Sequence, residues 1–351
     1  MEIYDIFECR EIFLKHKKEL LKIMKNFIKN IKEEILKGKE ISFEEAEKLI
    51  SISNDDKISL DELFSAADEI REKFCGKRFD LCTIINAKSG KCSENCKYCA
   101  QSSHFKTNAD VYPLVTAEYA LNEAKKVEAE GAHRFSLVTS GRGLKSTSKE
   151  LMELENIYKV LREKTDLMLC ASHGICDKEA LIKLKEAGVT TYHHNLETSR
   201  EFYSNICSTH TFEDRVNTIN AAKEAGLNVC SGGILGLGET PIDRIKMAFE
   251  LKSLGVFSVP INILTPIPGT PLEDMEGVEP MELVKTMAVY RFILPKTYLR
   301  YAGGRVKLGE LQNLGIKAGI NSALTGNFLT TTGNTIESDK KMIEGEGYEF
   351  K

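Results

Sequence analysis

No stretch of 18 or more consecutive apolar residues occurs in the 351-residue sequence, so no membrane-spanning helix is expected. The first twenty residues, "MEIYDIFECREIFLKHKKEL", are charged throughout and lack the apolar core of a secretory signal. A formal net charge of -4 offers no basic surface for nucleic acid. No linker, low-complexity segment or internal repeat interrupts the chain. Tryptophan is absent, which excludes nothing. What remains, 42% hydrophobic and 28% charged residues, is the composition of a soluble globular protein with one large domain or two modest ones. These features point to the cytoplasm. Ten cysteines in a reducing compartment are not expected to form a disulfide framework, and clustered thiols there more often bind metal or do chemistry.

The first 75 residues read as helices. "KKELLKIMKNFIKNIKEEILKGKE" spaces its apolar residues as an amphipathic helix ending near Gly38. Ser42 with Glu45 forms a capping-box pattern, and "SLDELFSAADEIREKFCG" reads as a helix that stops at Gly76. From about residue 80, short β-rich runs alternate with helical ones. The predicted strands cover 81–86, 134–139, 167–172, 189–194, 227–231, 257–263 and 298–302, with a weaker eighth near Ile320. Helical stretches such as "DKEALIKLKEAG" and "TFEDRVNTINAAKEAG" end in glycine, as a helix C-terminus favours. The alternation predicts an α/β fold, a TIM-type (β/α)8 barrel over residues 76–335. An open doubly wound sheet is the competing architecture. Residues 1–75 are then a helical extension packed on the barrel, and 336–351 a loose charged tail.

"KSGKCSENCKYCAQSS" follows the first predicted strand and places Cys92, Cys96 and Cys99 within eight residues. Catalytic loops of such barrels follow the strands. A zinc site normally takes four ligands from two separated pairs, and the nearest histidine is His104. An iron–sulfur cluster also usually takes four thiolates, so three would leave one iron open to a ligand.

This CxxxCxxC motif resembles that of the radical S-adenosylmethionine (SAM) enzymes. The resemblance implies a [4Fe-4S] cluster on Cys92, Cys96 and Cys99, with SAM on the fourth iron. One-electron reduction would then cleave SAM to methionine and a 5'-deoxyadenosyl radical. Further stretches, "YHHNLETSREFYSNI", "CSGGILGLGET", "VPINILTPIPGTPL" and "LRYAGGR", are similar to biotin synthase in order and spacing over roughly residues 75–335. That family inserts sulfur into dethiobiotin. The sulfur comes from an auxiliary cluster in the barrel, usually a [2Fe-2S] held by three cysteines and one arginine.

Strand parity offers an independent reading, because inward residues alternate along a strand. One parity groups Arg134 with Ser136, Met168 with Cys170, Asn228 with Cys230, Ser258 with Asn262, and Tyr298 with Arg300. A lone strand cysteine is ordinarily a small buried apolar residue. On family-matching positions beside a buried arginine, Cys170, Cys230 and Arg300 are read as the auxiliary site. The family's remaining cysteine corresponds here to Ser136, a poor iron ligand. Extra cysteines could supply the missing thiolates. Cys82 and Cys75 joining Cys170 and Cys230 would suit a [4Fe-4S] cluster, with Arg300 as a hydrogen-bond donor to it. Cys207 is a weaker substitute, and in the bland alternative Cys75 and Cys82 only pack. Cys9 and Cys176 receive no role.

The resemblance also implies that Asn195 and Glu197 bind the SAM ribose. Arg215 would lie near the SAM carboxylate, and the loop around Tyr98 would hold the adenine and methionine ends. For Arg215 the competing reading is a solvated helix charge. Asn262 and His193 match dethiobiotin contacts, with a buried structural histidine as the alternative for His193. "GGILGLGET" lacks the Lys-Ser/Thr ending of a phosphate-binding loop, and its glycines are expected to let SAM lie close to the backbone. A flavodoxin or ferredoxin as electron donor and a homodimer are further implications. A hydrogenase-cofactor maturase would share the first cluster and the barrel but not the Cys170, Cys230 and Arg300 set. A non-enzymatic metal-binding protein is a weaker alternative.

Overall fold

The apolar runs become parallel strands in a computed structural model that describes residues 3–326 and 333–350, with side chains from Glu19 onward. Cys9 therefore lies outside the described side chains. The strands are β1 (Asp80–Lys88), β2 (Arg134–Thr139), β3 (Met168–Ser172), β4 (Val189–His193), β5 (Asn228–Cys230), β6 (Ser258–Ile263), β7 (Tyr298–Tyr301) and β8 (Ser322–Leu324). A short strand, Gly233–Leu235, continues β5 along β6. β7 pairs with both β6 and β8, and β8 pairs with β1, so the sheet closes on itself. Closure excludes the open doubly wound sheet, because a barrel leaves no sheet edge unpaired.

The helices that return the chain to each next strand start on side-chain caps. Thr116, Ser148, Asp177, Thr211 and Thr240 each accept a hydrogen bond from the backbone N–H three residues on. Each such cap stabilises its helix by about 1 kcal/mol. Ser42 and Glu45 form the capping box that their spacing predicts. Gly131, Gly188, Gly226 and Gly255, at the helix ends, have the positive φ that a side chain would resist.

Three helices precede the barrel: α1 (Ile3–Leu36), α2 (Phe43–Ile50) and α3 (Lys57–Cys75). α2 and α3 pack on the helix Pro280–Ile293, every residue of which from Leu283 to Ile293 is buried, and α1 packs on α3. A helix enclosed on all sides has no polar face, so apolar periodicity does not reveal it. Lys285 reaches Ile52 O at 2.8 Å, and Asn54 meets Glu279 at 2.7 Å, tying the two parts together.

The C-terminal segment is not a loose tail. Ile336–Gly345 is a helix whose Asp339 pairs with Arg305, both fully buried. Tyr348 packs edge-on against Phe79 at 5.5 Å and beneath the Arg71 guanidinium at 4.6 Å. Phe79 N donates to Glu349 O at 3.0 Å, so this segment closes the barrel's N-terminal end. Its charged residues disguise two apolar anchors, Ile336 and Ile343.

His173, just past β3, bonds Thr139 Oγ1 at 2.9 Å and the Tyr158 hydroxyl at 3.0 Å. Burial, aided by the Lys88 charge, pushes its pKa down to about 3. An unfolded chain takes up this proton near pH 6.5 while the folded one does not, so stability is lost as pH falls below about 6.5. His173 alone is expected to remove about 2 kcal/mol between pH 7 and pH 5. Urea unfolding of wild type and His173→Gln at both pH values measures this, and equal losses in the two chains would refute it.

Candidate functional site

The inward residues of the strands alternate as parity requires and surround a cavity of about 370 Å³. Cys82 and Ile84 face it from β1, Arg134 and Ser136 from β2, and Cys170 and Ser172 from β3. Cys230, Ser258, Asn262 and Arg300 face it from the opposite wall. Met168, Asn228 and Tyr298 share that parity but do not line it, although Arg134 and Ser258, which pair with Met168 and Tyr298, do.

The floor is electrostatic. Asp80 accepts from Arg134 Nε at 3.0 Å and from Arg300 Nη2 at 2.5 Å, and all three side chains are buried. Burial opposes ionisation of Asp80, but the Arg300 and Arg134 charges outweigh it and hold the carboxyl below its usual range. Arg300 Nη1 also donates to Ala323 O at 3.1 Å and Nε to Ser258 Oγ at 3.3 Å, which leaves one Nη2 hydrogen for a group in the cavity.

Three thiols lie above this floor. The neighbouring Cys170 and burial push the Cys82 thiol up, and Cys82 in turn holds Cys170 down against burial, helped by Arg134. Burial raises Cys230 to about 11, against the pull of Arg300. Ser136 lies directly beside Cys170 in the β2–β3 register. The donor set is therefore three soft sulfurs, one hydroxyl and two guanidinium cations, which fits an anionic iron–sulfur group better than a bare cation. The Thr191 hydroxyl, which the sequence did not single out, faces the same cavity buried and without a partner.

The CxxxCxxC loop folds over the mouth. Cys92 N donates to Gln101 O at 3.0 Å and Ser103 N to Cys92 O at 2.8 Å, closing the loop on itself. Cys99 and Tyr98 line the cavity, and Cys96 is buried behind them. Burial raises Cys99 to about 11, and Cys96 is raised by its hydrogen bond to Cys207 and by burial, so a metal's positive charge is needed to make thiolates here. Among the described residues, these three thiols do not gather within single-ion distance, as a larger cluster allows.

Polar groups form one side of the mouth. Asn195 Nδ2 donates to Glu197 at 3.2 Å, and Asn195 Oδ1 accepts from Gly232 N at 3.1 Å. Arg215 is buried, donating to Tyr203 Oη at 2.6 Å and Asn195 O at 2.8 Å, and lies 3.5 Å from Glu197. That excludes the solvated helix charge. Burial raises the Glu197 pKa against the pull of Arg215, and burial and the Glu197 charge raise the Tyr98 phenol. Glu197 sits at φ 74°, a strained conformation that turns its carboxylate toward the cavity wall. His193 lines the cavity, its pKa pushed to about 4 by burial and then by Arg300 and Arg215, so it stays neutral at pH 7. Asn262 bridges Gly233 O at 3.1 Å and Gly303 N at 3.0 Å, keeping one amide hydrogen for a ligand.

Several expectations are displaced. Cys75 ends α3 outside the cavity, its Sγ 3.6 Å from both Pro295 O and Arg291 Nη1. It stands five residues before β1, across the turn at Gly76 that separates helix from barrel. Cys207 lies behind the loop, 3.8 Å from Cys96, rather than in the barrel. His104 is exposed against Ser93 O at 2.9 Å, while His210, remote in sequence, approaches the loop instead. Gly232 and Gly233 serve strand packing: a Cβ at Gly232 would meet Pro260 O at 2.0 Å, and one at Gly233 would meet Glu197 O at 2.5 Å. Gly232→Ala is expected to cost about 1–3 kcal/mol in urea unfolding, since backbone cannot yield as a side chain would. In the rest of "GGILGLGET", the Glu239 carboxylate takes the N–H groups of Gly236 and Leu237 at 2.9 and 2.6 Å, leaving no cradle for phosphate.

The family model for the radical SAM superfamily matches residues 87–251, and that for the Biotin and Thiamin Synthesis associated domain matches 260–349. Biotin synthase of Fusobacterium nucleatum is 65% identical over 93% of this chain and 91% of its own. The chain belongs to the biotin synthase family. The biotin synthase of Clostridioides difficile is 54% identical over 93% of this chain and all of its own length. Among solved structures, methylornithine synthase superposes with a TM-score of 0.77 at 21% identity, covering 92% of this chain and 97% of that one. A maturase of the [FeFe]-hydrogenase superposes at 0.79 with 19% identity, covering 95% and 78%. At such identities these two share the fold alone. Within the biotin synthase family pattern, the departure at Ser136 sits at the cavity wall, where Cys82 on the neighbouring strand brings a thiol to the same space.

Proposed function

We propose that this chain forms biotin from dethiobiotin by radical sulfur insertion. One observation carries the reading: one cavity is lined both by Cys99 of the three-thiol loop and by the strand thiols Cys82, Cys170 and Cys230. Cys92, Cys96 and Cys99 would hold a [4Fe-4S] cluster with SAM, and Cys82, Cys170 and Cys230 the auxiliary cluster. When bound, these groups supply the radical that breaks substrate C–H bonds and the sulfur that replaces them.

The chain's own residues bind, orient and exclude water. Glu197 and Asn195 present acceptors for the ribose hydroxyls, and Arg215 fixes the Glu197 charge. Tyr98 supports that same carboxylate. Neutral His193 and the free amide hydrogen of Asn262 offer donors to the ureido carbonyl of dethiobiotin. Arg300 keeps its proton, since Asp80 stabilises the cation, and so acts as a hydrogen-bond donor to the auxiliary group rather than a ligand. Ser136 leaves the fourth auxiliary position to a non-thiolate donor beside Cys82, Cys170 and Cys230. The barrel walls keep water from a radical that would attack almost any C–H bond. A flavodoxin or ferredoxin as donor and a homodimer complete the reading.

Anaerobic reconstitution followed by incubation with dethiobiotin, SAM and a one-electron reductant tests it. Biotin should form with consumption of SAM, and the Cys92→Ala/Cys96→Ala/Cys99→Ala chain should cleave no SAM. Cleavage of SAM without biotin would refute the substrate.

A further inference from the structure

Behind the loop, the structure assembles a second set of soft donors. Cys96, Cys207 and His210 are all buried, with ligand atoms within 4.8 Å of one another. We propose that, before the loop cluster is assembled, these three residues hold one zinc-class divalent ion.

The distances are those of an ion's first shell. Cys96 and Cys207 Sγ are 3.8 Å apart. Two thiolates bound tetrahedrally at about 2.3 Å stand about 3.8 Å from each other. Cys207 Sγ lies 3.9 Å from His210 Nε2, close to the roughly 3.5 Å edge between zinc-bound sulfur and nitrogen. Glu94 lies 2.7 Å from His210 Nδ1. A carboxylate there accepts the Nδ1 proton and leaves the Nε2 lone pair for the ion, the carboxylate–imidazole–metal relay of many zinc sites. Glu94 is itself held by Ser93 Oγ at 2.9 Å and Arg142 Nη1 at 3.2 Å.

The site is built without an ion. Lys97 N donates to Ile206 O at 2.9 Å, and Asn95 Oδ1 accepts from Ser208 N at 3.0 Å and Thr209 N at 3.2 Å. These bonds tie the segment carrying Cys207 to the loop carrying Cys96. Two thiolates and one imidazole select zinc-class ions over magnesium or calcium, and three protein ligands leave a fourth position for water. Binding displaces the proton that Cys96 donates to Cys207.

Cys96 belongs to both sites, so the ion and the loop cluster exclude each other. That exclusion rests on the proposed function; the ion site does not.

Cobalt(II) titration of the cluster-free full-length chain tests the site through its sulfur-to-metal charge-transfer and tetrahedral d–d absorption. One ion per chain is expected, displaced by zinc. The absorption should persist in Cys92→Ser/Cys99→Ser and vanish in Cys207→Ser. His210→Gln carries the same expectation if Cys207→Ser does not fold. Glu94→Gln should weaken zinc binding about tenfold or more. No thiolate absorption in wild type, its loss in Cys92→Ser/Cys99→Ser, or its survival in Cys207→Ser would overturn the proposal. Zinc added before reconstitution should then lower iron uptake at the loop in wild type but not in Cys207→Ser. If zinc-free wild type takes up no loop cluster, the functional reading fails while the cobalt result stands.

Discussion

Cys82→Ala, made in a chain whose Cys92, Cys96 and Cys99 are already alanine, is expected to lose the iron and sulfide that the parent retains after reconstitution. Cys75→Ala in the same background should retain both. The contrast follows from position. Cys82 faces the cavity on β1 together with Cys170 and Cys230, whereas Cys75 lies against Arg291 and Pro295. With Ser136 a poor ligand, removal of Cys82 leaves two thiolates, too few to hold an iron–sulfur group. In the chain with its loop cysteines intact, Cys82→Ala should still cleave SAM but yield no biotin. Unchanged auxiliary iron in Cys82→Ala would show that Cys82 only packs.

Asp80→Asn should be the most destabilising single change at the barrel floor. It leaves Arg134 and Arg300 buried without their shared counter-charge. Breaking a buried ion pair costs about 3–5 kcal/mol because the surviving charge stays desolvated, and here two charges survive. Urea unfolding measures the loss, and Asp80→Asn/Arg134→Met should be less destabilised than Asp80→Asn alone. The pH dependence has a definite sign. The folded pKa of Asp80 is depressed, so its contribution is complete above the unfolded value of about 3.9 and is lost as pH falls through the folded one. Wild type should therefore lose stability in acid more steeply than Asp80→Asn. A loss below 1 kcal/mol would mean that water reaches the floor and solvates the two guanidinium groups.

Strand parity alone placed Cys170, Cys230, Arg300 and Asn262 on the cavity side, because side-chain direction in a strand depends only on local pleating. It failed for Met168, Asn228 and Tyr298, since parity says which face a residue takes but not whether its side chain borders the cavity. The acidic and basic residues of 336–351 read as a tail because composition averages away two buried isoleucines and one buried ion pair. Cys75 and Cys82 lie seven residues apart and the sequence offers both to the auxiliary site, yet the helix end and turn at Gly76 keep Cys75 out of the barrel.

By itself the sequence determined the alternation of strands and helices, the caps that start the helices, the three-thiol loop and the family to which the chain belongs. All of these are carried by short-range patterns: pleat, helical turn and the spacing of ligands within one loop. Only the tertiary structure decided which extra cysteine reaches the barrel, that Asp80 joins Arg134 to Arg300, and that Cys207 and His210 stand behind Cys96. Those contacts join residues between 54 and 220 positions apart. They exist because the barrel closes, which brings distant strands and loops together irrespective of their separation along the chain.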